Sequence, residues 1–154
     1  MNLTLADGCR VRNMTLKDLD DLTALLSDPE VMRFIEPPFD RARTEAFLRR
    51  YALGAAPSVY ALADADDRLI GQVIFHPWDE ALWEIGWILA KRCWGRGLAQ
   101  RVTEALIAEC RRCGIAGCVL ECDPTQGATK HIAQKLGFEY VGEEDSLDRF
   151  SLYL

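Results

Sequence analysis

A β-patterned run from Trp83 to Leu89 leads through Ala90-Lys91 into Arg92-Cys93-Trp94-Gly95-Arg96-Gly97-Leu98-Ala99, and an amphipathic pattern takes over at once and holds to Cys113. Few architectures accept a strand, a loop with glycines two apart and a helix starting directly behind them. Glycine lets such a loop bring its main chain close to a ligand. The first turn of the helix aims unpaired N–H groups and a partial positive charge at whatever lies in front of it. Arg92 and Arg96 add formal charge, with fork-shaped donors that match phosphate oxygens. The stretch reads as an anion site; the plainer reading is a tight strand-to-helix turn with incidental arginines.

The rest of the chain places this unit in a mixed α/β fold. Cys9 to Arg12 reads as a short strand and Leu16 to Leu26 as a helix, followed by a helical turn from Asp28 to Phe34, a break at Glu36-Pro37-Pro38 and a helix from Arg41 to Leu53. Val59 to Ala63 and Leu69 to Phe75 form a hairpin about the acidic turn 64–68, and Pro77 closes it. Trp83, Ile85, Trp87 and Leu89 share one face of the next strand, with Glu84, Gly86 and Ile88 on the other. The helix stripe Leu98, Val102, Ala105, Leu106, Cys110 and Cys113 ends at Gly114. Cys118 to Cys122 is a strand, Thr125 to Leu136 a helix capped by Gly137, and Phe138 to Val141 and Arg149 to Leu154 are strands flanking the acidic link Glu143-Glu144-Asp145. Strand-helix-strand order in the second half implies parallel pairing there, and the hairpins imply antiparallel pairing elsewhere. The expected architecture is a mixed, mostly antiparallel sheet of six to seven strands with flanking helices, in a single domain over 1–154, since 154 residues are too few for two ordinary ones.

Charge and cysteines narrow the function. A net charge of −6 argues against a nucleic-acid partner, which asks for a basic surplus, so any anion site is local. No basic leader or long apolar run is present, and a cytoplasmic protein without a membrane partner is expected. Cys110-x-x-Cys113 with Cys118 and Cys122 can be drawn as a four-thiolate zinc site. Cys110 and Cys113 fall on the inward helix face, however, and Cys118 and Cys122 bracket an apolar strand, so buried reduced thiols and no metal are expected.

A P-loop needs Gly-Lys-Ser/Thr at the start of the helix, whereas Gly97 is followed by Leu98-Ala99; a dinucleotide fingerprint needs glycine where Gln100 stands. What remains is basic-x-x-Gly-x-Gly, and here the chain resembles the GNAT superfamily of N-acetyltransferases, in which that loop holds the pyrophosphate of acetyl-CoA. A second block, Gln126-Gly127-Ala128-Thr129-Lys130-His131-Ile132-Ala133-Gln134-Lys135-Leu136-Gly137-Phe138, resembles the family's Asn-x-x-Ser/Ala helix ending in Lys-Leu-Gly-Phe. Asp28-Pro29-Glu30-Val31-Met32-Arg33-Phe34 and Glu84-Ile85-Gly86-Trp87-Ile88-Leu89 resemble segments of the Rim-type ribosomal-protein N-terminal acetyltransferases and their relatives.

The resemblance implies acetyl-CoA as donor, gripped by the strand edge Ile88, Leu89 and Ala90 and by the loop Arg92, Cys93, Trp94, Gly95, Arg96, Gly97, Leu98 and Ala99, with the Ile88 N–H as an oxyanion donor. Thr129 stands at the family's Ser position, as a cofactor contact or a plain helix-end cap. Gln126 replaces the family's usual Asn. Ala133 replaces the tyrosine that protonates the leaving thiolate in many members, and Tyr140 or water is left as substitute. A lysine amine titrates roughly 2.5 units above an α-amino group and so needs a base more than an N-terminus does. Two carboxylates are candidates: Glu84, which shares its face with Gly86, and Glu121, at the Leu-Glu pair used by some Rim-type enzymes. Either reads equally as a structural acid paired with Arg or backbone. His76 reads mainly as a strand-end residue with a catalytic alternative, His131 as a surface or cofactor-edge residue, and Trp78 and Trp83 as wall of an acceptor cleft or core.

The expected partner is an amine, either a small molecule or a protein N-terminus. Acidic residues at Glu36, Asp79-Glu80 and 143–145 would favour a cationic one if they are more than solvated loop charges. The chain is expected as a monomer or homodimer. Two rival functions stay open: a non-catalytic acyl-CoA sensor or interaction module on the same fold, and a different nucleotide-binding enzyme using the same loop.

Overall fold

The computed structural model describes Met1–Leu154. Twelve elements follow in chain order: β1 Asn2–Thr4, β2 Arg10–Arg12, α1 Leu19–Leu26, α2 Arg41–Tyr51, β3 Val59–Ala63, β4 Leu69–Pro77, β5 Leu82–Leu89, α3 Leu98–Arg112, β6 Gly117–Cys122, α4 Gly127–Lys135, β7 Glu139–Glu144 and β8 Leu147–Tyr153. Hydrogen bonding orders the strands β1-β2-β3-β4-β5-β6-β8-β7. The pairs β1–β2, β2–β3, β3–β4, β6–β8 and β7–β8 are antiparallel and β5–β6 is parallel, so the sheet is mixed and mostly antiparallel, with eight strands rather than about six to seven. The added strand is β1, three residues too short for its alternation to register in sequence.

One compact unit comprises Met1–Ile74 and Trp87–Leu98. Its apolar interior includes Val11, Leu22, Leu26, Leu48, Leu62 and Val73, all at 1% exposure or less, each worth about 1.5–3 kcal/mol of transfer free energy. The expected helix from Leu16 is a 3-10 turn, Leu16–Asp18, running into α1. Thr15 accepts from the Lys17 N–H, and Asp18 reaches back to the Thr15 N–H at 2.8 Å, a reciprocal cap. The buried Asp18 is neutralised by Arg12, whose two terminal nitrogens lie 2.9 Å from its two oxygens. Asp67, at φ +63° in the β3–β4 turn, takes Arg12 Nε at 2.7 Å.

The second unit comprises Phe75–Gly86 and Ala99–Leu154. Val102, Leu106 and Cys110 recur every four residues on α3, and all three are fully buried, as an amphipathic helix requires. The β7–β8 link differs from the expected three-residue acidic loop. Glu143 and Glu144 belong to β7, and the turn is Asp145-Ser146, both at positive φ (51° and 66°), the conformation of a two-residue hairpin. Cys113 also departs from expectation: it lies beyond α3 and is exposed, while Cys110, Cys118 and Cys122 are buried and Cys9 is half-buried.

Candidate functional site

The glycine loop is held from within. The Ala90 N–H donates to Ile70 O at 2.8 Å, the Cys93 N–H to Ala90 O at 2.8 Å and the Trp94 N–H to Lys91 O at 3.1 Å, so residues Lys91–Cys93 wind a 3-10 turn off the end of β5. Cys93 is the buried anchor of this turn. Trp94 lies half out of the surface, and its indole Nε1–H donates to Leu89 O at 3.0 Å. Gly95 and Gly97 have φ of +74° and +72°, the left-handed region that only glycine enters freely. Leu98 then tucks in to start α3, whose first turn carries no acid to compete for its N–H groups. Arg92, Arg96 and Gly97 are exposed. This local geometry suits a diphosphate: main-chain donors at a helix start, no acidic side chain in the first helical turn, and guanidinium groups in the loop. The Ala90 N–H, one of the strand-edge groups expected to grip a ligand, is spent on Ile70 O.

The carboxylates lie in the second unit and are treated differently by their surroundings. β5 and β6 pair in parallel only over Leu82↔Gly117, Trp83↔Cys118 and Glu84↔Val119. Because strand side chains repeat every second residue, Glu121 falls on the same face as Val119 and hence as Glu84. Glu121 sits opposite Arg149 of β8, and its Oε2 accepts from Arg149 Nε at 3.2 Å and Nη2 at 3.0 Å. The same guanidinium reaches Glu144 at 2.6 Å and lies over the Trp78 ring, 4.6 Å from its centroid. Glu121 is therefore a carboxylate locked in an ion-pair network.

Glu84 has no arginine on it. Its Oε2 faces His76 Nε2 at 3.0 Å, and His76 Nδ1 lies 2.9 Å from Pro77 O. Burial pushes the Glu84 carboxyl above the ordinary range; the neighbouring His76 and, more weakly, Arg149 oppose this, and the nearby Glu121 adds to it. Trp83 stacks on Phe75 with ring centroids 4.7 Å apart, a wall and core role for one of the two tryptophans considered for the acceptor side.

The start of α4 is arranged around Asp123. Its carboxylate accepts from the Thr125 N–H at 2.8 Å and hydroxyl at 2.6 Å, and Gln126 Oε1 accepts from the Asp123 N–H at 2.9 Å. The helix begins at Gly127, two residues later than expected, and Gln126 occupies its N-cap without a side-chain bond to the helix. Thr129 sits in the third helical position, half-buried, so it is not the cap residue. Ala133 is fully buried. Tyr140 directs its hydroxyl at Asp148 Oδ1, 3.3 Å away, and Lys130 Nζ lies 2.6 Å from the other oxygen of the same carboxylate. His131 is exposed.

The model of the acetyltransferase (GNAT) domain family matches residues 9–139, well over half the chain. The chain belongs to the GNAT acetyltransferase family. It is similar to YkkB, an uncharacterized protein of Bacillus subtilis, with 28% identity over 147 residues, covering 88% of this chain and 84% of YkkB. Among solved structures, a GNAT-family acetyltransferase from Bacillus anthracis superposes with a TM-score of 0.85 at 19% identity, covering 100% of this chain and 98% of the other. Spermidine N-acetyltransferase from Vibrio cholerae, solved with CoA and spermine, superposes with a TM-score of 0.79 at 18% identity, covering 95% of each chain. At these identities the two structures establish the GNAT fold.

GNAT enzymes use acyl-CoA and an amine acceptor. The glycine loop and the start of α3 fit the anionic diphosphate of such a donor by the donors and charge described above. No helix of the chain is long and apolar enough to cross a membrane. Arg149 was not visible as a site residue in sequence. It stands 28 positions from Glu121, and only the β6–β8 register brings the two opposite each other.

Proposed function

We propose that this GNAT enzyme transfers an acetyl group from acetyl-CoA to a primary amine, either a small cationic amine or a peptide N-terminus, by direct attack with Glu84 as general base. The observation that carries the choice is the contrast between the two carboxylates. Glu121 is occupied by two hydrogen bonds from Arg149, whereas Glu84 carries no arginine hydrogen bond, faces His76 and has its carboxyl raised above the ordinary range by burial, the direction that suits a proton acceptor. The loop Arg92–Ala99 would hold the diphosphate, with the Ile88 N–H as the candidate donor to the carbonyl oxygen as it gains charge. Thr129 and Gln126 would contribute at the start of α4, Gln126 through its Nε2 group while its Oε1 accepts from the Asp123 N–H.

The thiolate of CoA leaves without a tyrosine from α4. Ala133 is buried, and the hydroxyl of Tyr140 is already committed to a carboxylate. A thiol with a pKa near ~8.5 is a tolerable leaving group unaided, so water suffices as the proton source. Three carboxylates, Glu84, Glu121 and Glu144, stand against the one guanidinium of Arg149, a net negative surplus that favours a cationic acceptor, whether a small amine or the N-terminal ammonium of a Rim-type peptide.

The test is release of thiol from acetyl-CoA with a panel of amines: polyamines, aminoglycosides and short peptides with free N-termini. With the best acceptor, Glu84→Gln should lower kcat on the order of 100-fold or more, with KM for acetyl-CoA little changed, while Glu121→Gln retains most of the activity. The reverse ranking would move the base to Glu121. Saturable acetyl-CoA binding without turnover of any amine would favour the sensor.

A further inference from the structure

We infer that His76 and Glu84 form a single proton-holding pair, in which His76 is a positioning residue that fixes Glu84 and shares the proton taken from the acceptor amine. This rests on the assignment of Glu84 as base and adds a second residue to it. The argument begins at Pro77. A carbonyl oxygen accepts hydrogen bonds and never donates, so the 2.9 Å approach of His76 Nδ1 to Pro77 O is a hydrogen bond when Nδ1 carries the hydrogen, the tautomer the proposal assigns. The ring is thereby oriented, and Nε2 is the nitrogen turned toward Glu84.

Nε2 faces Glu84 Oε2 at 3.0 Å, a hydrogen-bond distance at which one proton must lie between the two atoms. Imidazolium with carboxylate and imidazole with carboxylic acid are two descriptions of that one state, with the same net charge. The pair therefore titrates as a unit. Once it has lost the shared proton, two lone pairs confront each other across the gap, and recovering a proton relieves the repulsion.

The acceptor ammonium is the source of that proton. One N–H bond breaks and its proton comes to rest between Oε2 and Nε2, while the electron pair left on nitrogen forms the C–N bond; the C–S bond then breaks, CoA leaves as the thiolate, and the second nitrogen proton passes to it through water. The surrounding charges suit this role. Glu121 of β6 faces Glu84 but is held by Arg149 of β8, which also binds Glu144 of β7 and covers Trp78. Arg149 thus occupies the neighbouring acids and makes no hydrogen bond to Glu84, leaving the proton to His76.

Two measurements on the full chain test the pair. The chain has only two histidines, so long-range 1H–15N spectra resolve His76 from the exposed His131. In its neutral form His76 should carry its proton on Nδ1; a neutral ring protonated on Nε2 overturns the proposal. The second measurement is the pH profile of kcat/KM for His76→Gln, in which an amide can still donate to Glu84 but cannot share a titrating proton. The acid limb should move to lower pH by a unit or more, because a lone carboxylate stays ionised further into acid than a pair closed on a shared proton. At pH 8, kcat should fall on the order of tenfold, with KM for acetyl-CoA unchanged. An unmoved acid limb in a folded His76→Gln protein overturns the proposal. Absence of turnover by the wild type with every amine would sink the acetyltransferase reading instead, and the spectra would still decide the pair.

Discussion

Individual residues show how much the environment decides what a carboxylate does. Asp18, Glu84 and Glu121 all lie at least partly out of water, yet two are neutralised by arginine and one is left to a histidine. Asp18 and Glu121 each take two hydrogen bonds from one guanidinium, whereas Glu84 is penalised for ionising by burial. This has a stability consequence with a definite sign. An acid raised in the folded state contributes stability below its unfolded value, near 4.5, and that contribution is lost as pH rises through the folded value. At pH 8 the Glu84 carboxylate is thus a cost that an amide would not incur. Glu84→Gln, expected to be nearly inactive, should melt at or above the wild-type temperature at pH 8, with the difference closing toward pH 4. A lower melting temperature at pH 8 would show that the carboxylate stabilises the fold instead.

Secondary-structure elements divide the glycines by what surrounds them. On β6, a Cβ at Gly117 would collide with the backbone oxygen of Leu152 and come within 2.9 Å of Leu82 Cδ2. At the start of α4, a Cβ on Gly127 meets nothing within 4 Å and the residue has no positive φ. Gly117→Ala should therefore cost about 2 kcal/mol or more, as overpacking against main chain does. Gly127→Ala should add about 0.4–1 kcal/mol by restricting the unfolded chain. Paired urea titrations of the two variants read both signs, and a neutral Gly117→Ala would mean that β6 and β8 can separate at that point. The elements were largely legible beforehand, because apolar periodicity is a local property: β3 was read to the residue, and α2, β5 and α3 to within one or two. The misses are short or irregular: β1, the 3-10 entrance to α1, the β7–β8 turn, and the delayed start of α4, where Asp123 organises the backbone before a helix can begin.

Across the whole molecule, the net charge of −6 coexists with many carboxylates held low by specific donors. Asp21 is lowered by hydrogen bonds from Arg68, Asp79 by the Leu82 and Ala81 N–H groups, and Glu109 by Arg112. A depressed acid contributes stability above its unfolded value and loses it as pH falls through the folded one, so the fold should weaken progressively below about pH 4. Asp21→Asn should lose less stability than the wild type between pH 5 and pH 3 at low salt, as read by the acid-unfolding transition; parallel losses would mean the Arg68 pair contributes nothing. The two-glycine loop with the helix behind it and the block from Gln126 to Phe138 together indicate the family in sequence, since each depends on contiguous residues and the loop on a backbone that only glycine adopts freely. The carboxylates were visible as candidates but not as unequals. Glu121 is tied to a residue 28 positions away and Glu84 to one across a hairpin. Those partnerships depend on strand register and long-range packing, which periodicity along the chain does not encode.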